Sequence, residues 1–319
     1  MSSERAPQHD PRHEPVMLHE VVEALAVRPG GRYVDATVGL GGHARAIIEA
    51  AQPGGQLLGI DRDPQALAIA TERLMSYGDA VVLVRGEFAE VARICTERGF
   101  TPVDGVLIDA GVSSFQLDTP GRGFSFRRDE PLDMRMDPDG PVTAADIVNT
   151  SDETDLAAII FEYGEERRSR RIAREIVARR PLRTTSDLAR AVEAAVGRRG
   201  QDRIHPATLT FQALRIAVNN ELDQLESALE AAHTLLTPGG RLAVISFHSL
   251  EDRMVKQFIR EHTRDCICPP RQPVCTCAHR ATLRDAAKGG RTASDDEIAR
   301  NPRARSARLR AAERLEKAA

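Results

Sequence analysis

The chain predicts an α/β fold, a doubly wound parallel sheet that a helical insertion interrupts. Three observations carry this reading. Five short apolar runs each meet Gly, Asp or Ser near the carboxyl end, as strands do where they deliver a loop to a sheet edge. The three intervals between the first four runs have helical spacing and length. After Asp109 this alternation stops, only helical patterns follow, and the sheet resumes near Arg241.

The strands read as Arg32–Ala36, Gln56–Asp61, Ala80–Gly86, Asp104–Asp109 and Arg241–Phe247. Helices fit Ala44–Ala51, Pro64–Met75 and Phe88–Gly99. Strand and helix alternating in this way favour parallel pairing, with ligands at the carboxyl edge of the strands. From about Phe115 to Asp139 the chain is loop-like and rich in Gly, Pro, Asp and Arg. Helical patterns then occupy Asp155–Tyr163, Ser169–Arg179 and Ser186–Val196. One long helix is expected from about Pro206, with Phe211, Leu214, Val218, Leu222, Leu225 and Leu229 on one face. Pro at its first turn and Thr237-Pro-Gly-Gly240 at its end supply the punctuation. No internal repeat is evident.

With 319 residues there is room for one large α/β domain and a smaller one. A hydrophobic share of 41% beside 29% charged residues describes an ordered globular chain rather than a disordered one. No apolar run reaches the roughly 18 residues of a membrane span. The stretch Met1–Glu14 is polar, without the apolar core of a signal peptide, and is expected to be flexible; the cytoplasm is the expected location. The net charge of −3 does not advertise a nucleic-acid binder, but its distribution is uneven. Between Glu165 and Arg203 lie Arg167, Arg168, Arg170, Arg171, Arg174, Arg179, Arg180, Arg183, Arg198, Arg199 and Arg203. A local patch of this kind can bind phosphate. Codon bias competes with that reading, because Lys256, Lys288 and Lys317 are the only lysines in the chain.

The first strand runs into Asp35-Ala-Thr-Val-Gly39-Leu-Gly41-Gly42-His43 and then a helix. Glycines belong where backbone must approach a bulky ligand or take a positive φ. The second strand ends in Asp61, nineteen residues after Gly42, where a carboxylate can accept hydrogen bonds from both ribose hydroxyls of an adenosine. A nicotinamide dinucleotide is the alternative. It calls for Gly-x-Gly-x-x-Gly and a helix N-terminus free for pyrophosphate. Here the glycines run Gly-x-Gly-Gly with Asp35 just ahead of them, which suits a cationic sulfonium amino-acid cofactor better than a diphosphate. No Gly-x-x-x-x-Gly-Lys-Ser/Thr loop exists, so nucleoside triphosphate hydrolysis is unsupported. Phe88, after the third strand, either packs on an adenine or belongs to the core. Asp109 ends the fourth strand beside the cofactor, where an acceptor must enter; it either receives a target amino group or caps the next turn.

With these segments in hand, the sequence resembles the bacterial ribosomal RNA small-subunit methyltransferase H family over roughly His13 to Arg314. The blocks that carry the resemblance include Gly41-Gly-His43, Ile60-Asp-Arg-Asp-Pro64 and Asp109-Ala-Gly-Val-Ser-Ser-Phe-Gln-Leu-Asp118. Others are Arg122-Gly-Phe-Ser-Phe126, Pro131-Leu-Asp-Met-Arg-Met-Asp137, Tyr163-Gly-Glu-Glu166, His205-Pro-Ala-Thr208, Ile245-Ser-Phe-His-Ser-Leu-Glu-Asp-Arg253 and Asn301-Pro-Arg-Ala-Arg-Ser306. Ala110 and Phe115 stand where Leu and Pro are expected, and neither change removes a functional group.

The resemblance implies a Rossmann-like, class I S-adenosylmethionine-dependent methyltransferase sheet with an inserted all-helical domain. It implies methyl transfer to the N4 amino group of a cytidine in 16S ribosomal RNA. It places the cofactor on Gly41, Gly42, His43, Asp61, Phe88, Asp109 and Gln116. Asp109 is the expected catalytic acceptor, with His248 and Ser249 next, although His248 could instead cap the following helix. The expected division is residues 15–120 and 216–319 for the methyltransferase and 121–215 for an RNA-recognition insertion. The target base must leave any stack to be reached, and Phe115, Phe124, Phe126 and Phe247 are the few rings available to hold it. The partner is 16S ribosomal RNA, naked or in an assembled small subunit, with no membrane; a homodimer stays open. Two other classes compete: an RNA-binding assembly factor with a vestigial pocket, and a small-molecule methyltransferase. The intact glycine loop with Asp61 and Asp109 argues against the first, and the charge and size of the insertion against the second.

Four of the five cysteines form two Cys-x-Cys pairs, Cys266-Ile-Cys268 and Cys275-Thr-Cys277, with His279 just beyond. Four thiols at this density can close a tetrahedral zinc site, and Pro269, Pro270 and Pro273 would stiffen the turn. The spacing is tighter than the usual Cys-x-x-Cys knuckle, and a surface loop of reduced thiols competes. No metal is assigned from sequence.

Overall fold

The computed structural model describes residues 15–197, 205–269, 271, 272 and 274–316. The polar segment Met1–Glu14, the basic residues Arg198, Arg199 and Arg203, and Pro270 and Pro273 lie outside the described residues. In chain order come α1 (Leu18–Ala24), β1 (Arg32–Asp35), α2 (Gly42–Ala50), β2 (Gln56–Asp61), α3 (Pro64–Leu74), β3 (Val81–Arg85), α4 (Val91–Glu97), β4 (Val103–Asp109) and α5 (Ser114–Asp118). Five helices follow: α6 (Ala144–Thr150), α7 (Glu153–Gly164), α8 (Ser169–Ala178), α9 (Thr185–Val196) and α10 (Thr208–Asn219). The chain then returns through α11 (Glu221–Leu235), β5 (Leu236–Ser246), α12 (Ser249–His262), β6 (Leu283–Asp285), β7 (Arg291–Thr292), α13 (Asp295–Arg300) and β8 (Arg308–Arg314).

The sheet order is β3-β2-β1-β4-β5-β8-β6, with β7 also paired to β8. Strands β1 to β5 are parallel, as the alternation requires. This is a Rossmann-like sheet, and its order reverses between β1 and β4, opening a crevice at their carboxyl ends. The sheet is mixed rather than wholly parallel, because β8 runs antiparallel to β5 and carries β6 and β7. Nothing local in the polar, Arg-rich sequence of β8 marks it as a sheet strand, yet Leu309, Ala311 and Ala312 are buried there.

Both faces of the sheet are covered. One buries Val34, Leu58, Val106 and Val244 beneath α4, α11 and α12; the other buries Leu57, Leu107 and Ile245 beneath α1 and α2. Tyr33 is a fixed point of the second layer: its ring lies where a Cβ on Gly105 would meet it at 2.8 Å, and its hydroxyl accepts the Arg28 N–H. A third core lies wholly within the segment between β4 and β5, built on Leu132, Met134, Leu156, Ile160, Ile172, Ile176, Leu188 and Leu214. Helix α8 shows why its sequence reads as it does. Ile172, Ala173 and Ile176 face this core, while the intervening arginines stay in water.

The single long helix expected from Pro206 is two. Asn220 takes a left-handed conformation (φ 50°, ψ 40°), which ends α10 and starts α11 in a new direction. Asn tolerates that conformation better than other residues with side chains. Its neighbour Asn219 is buried and holds the junction: Oδ1 accepts the Met136 N–H at 2.8 Å and Nδ2 donates to the Met134 carbonyl at 2.7 Å. The turn expected at Thr237–Gly240 is a bulge inside β5, because Val103 pairs with Leu236 while Gly105 pairs with Arg241. No described helix is long and apolar enough to cross a membrane.

Candidate active site

At the β1–β4 crevice a cavity of about 350 Å³ is lined by residues from every part of the chain. The β1 loop contributes Thr37, Gly39, Gly42 and His43; β2 ends in it with Asp61; Phe88 and Asp109 follow from the next two edges. Gln116, Phe247 and His248 also face it, as do Arg215 and Glu221 from the α10–α11 junction and Glu251 from α12.

Of the residues expected to hold a cofactor, Gly42, His43, Asp61, Phe88, Asp109 and Gln116 line this cavity. Gly41 does not. It caps α2 with φ 81°, and a Cβ there would press on Leu74 and Ala70, so its place is the seam between α2 and α3. Close packing of helix on helix explains that glycine. Ser249 also lies outside the lining, its hydroxyl donating to Glu165. His248 lines the cavity and also caps α12, accepting the Glu251 N–H through Nδ1. The capping role of His248 is therefore observed, and its side chain also borders the cavity.

Asp61 shapes the loop as well as facing the cavity. Its Oδ2 accepts the Gly39 N–H at 2.8 Å and its Oδ1 the Asp63 N–H at 2.9 Å. Burial pushes its carboxyl above the usual range, against those two hydrogen bonds. We expect Asp61→Ala to weaken S-adenosylmethionine binding by about 1–3 kcal/mol, roughly 5- to 150-fold, the cost of leaving buried hydroxyls without a charged acceptor. Isothermal calorimetry measures it, and unchanged affinity would place the ribose elsewhere.

Asp109 has an unusual environment. Its backbone N–H donates to Thr37 Oγ1 at 2.7 Å, which fixes the strand end. A quarter of its side chain faces the cavity, and Oδ1 is buried without a hydrogen-bond partner among the described residues. Burial, then the nearby Asp35 and Glu251 carboxyls, push it well above the ordinary carboxylate range. Asp35 is enclosed completely and is raised to about 7, mainly by burial. One Asp35 oxygen accepts the Thr37 N–H, while the other is also unpartnered among the described residues. His43 stands on the other side of Asp109, with Nδ1 3.6 Å from Oδ2 and Nε2 2.9 Å from the Val16 carbonyl. A carbonyl only accepts, so Nε2 carries the proton of that hydrogen bond.

The far wall pairs Arg215 with Glu221 through two hydrogen bonds of 2.8 and 2.9 Å. Glu251 is fully enclosed. Burial raises its carboxyl, but His248 and Arg215 outweigh that and hold it below the usual range. His248 Nε2 approaches Glu251 Oε1 to 3.0 Å, near enough for an ion pair but poorly aligned for a hydrogen bond. Sequence reading missed Arg215, Glu221 and Glu251. The only local signal was the His248-to-Glu251 spacing of a capping box.

The donor set tests which cofactor fits. No Lys or Arg forms an ion pair with Asp35, Asp61 or Asp109 among the described residues. The three cavity arginines are committed: Arg62 to the Asn219 carbonyl, Arg215 to Glu221 and Arg303 to Asp118. Buried carboxyls without cations reject a diphosphate and suit a cationic ligand. The sulfonium and ammonium of S-adenosylmethionine meet that requirement, and the anionic pyrophosphate of a dinucleotide does not.

Comparison with known proteins agrees with this chemistry. The sequence pattern of the MraW methylase family matches residues 10–315. The chain belongs to that family. It is 56% identical over 303 residues to the ribosomal RNA small subunit methyltransferase H of Dehalococcoides mccartyi, covering 95% of this chain and 86% of that one. The proteins of the same name from Syntrophotalea carbinolica and Geobacter sulfurreducens are each 55% identical, covering 95% of this chain and 98% and 99% of theirs. Family membership fits the residues that line the cavity, and it leaves the role of each to be argued from its surroundings.

Proposed function

We propose that this methylase uses S-adenosylmethionine to methylate the N4 amino group of a cytidine in 16S ribosomal RNA, and that it acts in the cytoplasm. The observation that carries the reading is the cluster of carboxyls Asp35, Asp61 and Asp109, none ion-paired to a Lys or Arg among the described residues, at the switch point of a methylase sheet. When bound, the cofactor supplies an electrophilic methyl group on a positive sulfur.

Asp61 holds the ribose, and Gly39 and Gly42 let the backbone close on the ligand. The positive ligand favours ionised Asp109 over its protonated form. Asp109 then accepts the hydrogens of the N4 amino group and turns its lone pair toward the methyl carbon. Cytosine N4 is a poor nucleophile because that lone pair is delocalised, so holding a near-attack pose supplies much of the acceleration, about 7 kcal/mol in good cases. Methylation would require the amino group to shed one proton, and the Asp109–His43 pair is placed to take it. His248 and Phe247 border the space left for the base.

We assign RNA recognition to the insertion, residues 121–215, and the chemistry to 15–120 and 216–319; the separate core of the insertion supports this division. Arg167, Arg170 and Arg171 are exposed and have no ion-pair partner among the described residues. Arg168 differs, since it is held by the buried Glu166 at 3.2 Å and belongs to the fold. Reversing Arg167, Arg170 and Arg171 to Glu should weaken RNA binding and flatten its salt dependence by about 2 in log–log slope, if each meets one phosphate. Cofactor affinity should stay constant. An unaltered slope in filter binding at several salt concentrations would make this face merely solvated.

The function is tested with 16S RNA and small subunits from a strain lacking the gene. Labelled S-adenosylmethionine and purified protein should yield N4-methylcytidine on nucleoside mass analysis. Label in another nucleoside, or none in either substrate, would overturn the proposal.

A further inference from the structure

The connection from α12 to β6 spans residues 263–282 and has no helix or strand of its own among the described residues. Such a loop is long for a compact domain. Its base is closed, because Thr282 N–H donates to the His262 carbonyl at 2.9 Å and the Ala281 N–H to Asp265 at 3.1 Å. Its tip has no core. Ile267 and Val274 are exposed, so apolar burial does not hold the shape.

The tip nevertheless converges on one point. The sulfurs of Cys266, Cys268, Cys275 and Cys277 all lie within 4.8 Å of one another. Cys275 and Cys277 are 3.6 Å apart, Cys277 and Cys266 3.8 Å, and Cys268 and Cys275 4.0 Å. A tetrahedron with zinc–sulfur bonds of about 2.3 Å has edges of about 3.8 Å, close to the spacing of these three pairs. Disulfide sulfurs would lie about 2.05 Å apart.

We propose that Cys266, Cys268, Cys275 and Cys277 bind one zinc ion as a tetrathiolate site that shapes the α12–β6 connection. The close Cys-x-Cys spacing does not prevent this, because the loop folds back so that both pairs face one centre. Binding exchanges thiol protons for the metal, with the protons released to solvent and no change of oxidation state. Four protein ligands leave no position for water or substrate, so the ion is structural. None of the four cysteines lines the cofactor cavity. Cofactor binding is therefore independent of the ion.

The test uses the full chain purified without a metal-affinity tag. Elemental analysis should find about one zinc per chain, and cobalt exchanged into the site should give the visible bands and sulfur charge-transfer absorption of tetrahedral thiolate coordination. Cys266→Ser and Cys277→Ser should each lose the metal, while Cys95→Ser retains it. All three should bind S-adenosylmethionine within about twofold of the parent, because the site is separate. In case a variant folds poorly, chelation of the parent protein should open tryptic cleavage at Arg264, Arg271 and Arg280 and leave the cofactor affinity intact. Less than about 0.2 zinc per chain, with the four thiols titratable or paired as disulfides, would overturn the proposal. So would zinc that survives Cys277→Ser.

Discussion

Replacing Asp109 by Ala is expected to reduce methyl transfer 10²–10⁴-fold, about the range for a positioned polar group acting on the transition state. RNA binding should be retained, because no described arginine of the insertion touches Asp109. The structure adds a second, opposite effect on stability. The carboxyl of Asp109 is pushed well above its ordinary value by burial and by Asp35 and Glu251. A native state that raises a carboxyl pKa holds the proton more tightly than the unfolded chain does. Its stability therefore falls as pH rises from the unfolded value, near 3.8, through the raised native one. Asp109→Asn removes that loss. Its advantage over the parent should be absent below about pH 4 and grow toward neutral pH in thermal melts without cofactor. The parent's kcat/KM should rise with pH along a limb lying above the carboxylate range, and Asp109→Asn should lack that limb. Turnover within a few-fold of the parent would make Asp109 structural and move the acceptor role to the backbone or His248.

Arg122→Leu is expected to cost about 3–5 kcal/mol of stability, since it strands a buried charge. Asp63 is fully enclosed and accepts Arg122 Nη2 at 2.8 Å, Gln116 Nε2 at 3.1 Å and the Gln65 N–H at 3.0 Å. The same guanidinium reaches the Arg135 and Met136 carbonyls at 3.2 and 2.9 Å. One ion pair thus joins the turn after β2, the α5 cap and the segment carrying Met136 into the cavity wall. Denaturant midpoints measure the loss. Asp63→Asn combined with Arg122→Leu should recover much of it, because the amide oxygen still caps α3 and no lone charge remains. A double variant no more stable than Arg122→Leu would locate the cost in the carbonyl contacts instead. The pair also engages Gln116, whose amide donates to Asp63 and accepts the Ser113 N–H while the side chain lines the cavity.

Sequence alone determined the parts of this protein that depend on near neighbours along the chain. Alternating apolar runs and helical spacings marked β1 to β5 and the intervening helices, because a strand or helix buries a face whose period is written in a few consecutive residues. The same locality placed Gly39 to His43, Asp61 and Asp109 at strand ends, where a parallel sheet gathers its ligands. What the tertiary structure decided involves partners far apart in the chain. Asn219 needed Met134 and Met136 across the fold to set the break between α10 and α11. The antiparallel β8 needed β5 to pair with, and the close approach of Gly41 to Ala70 and Leu74 joins residues far apart in the chain. Arg215, Glu221 and Glu251 entered the site from elements that carry no cofactor motif. The four sulfurs met because a loop without a core folded back on itself, an outcome that residue spacing left open. Short-range periodicity specifies what an element is; the charges and lone pairs left over by packing specify what the site can hold.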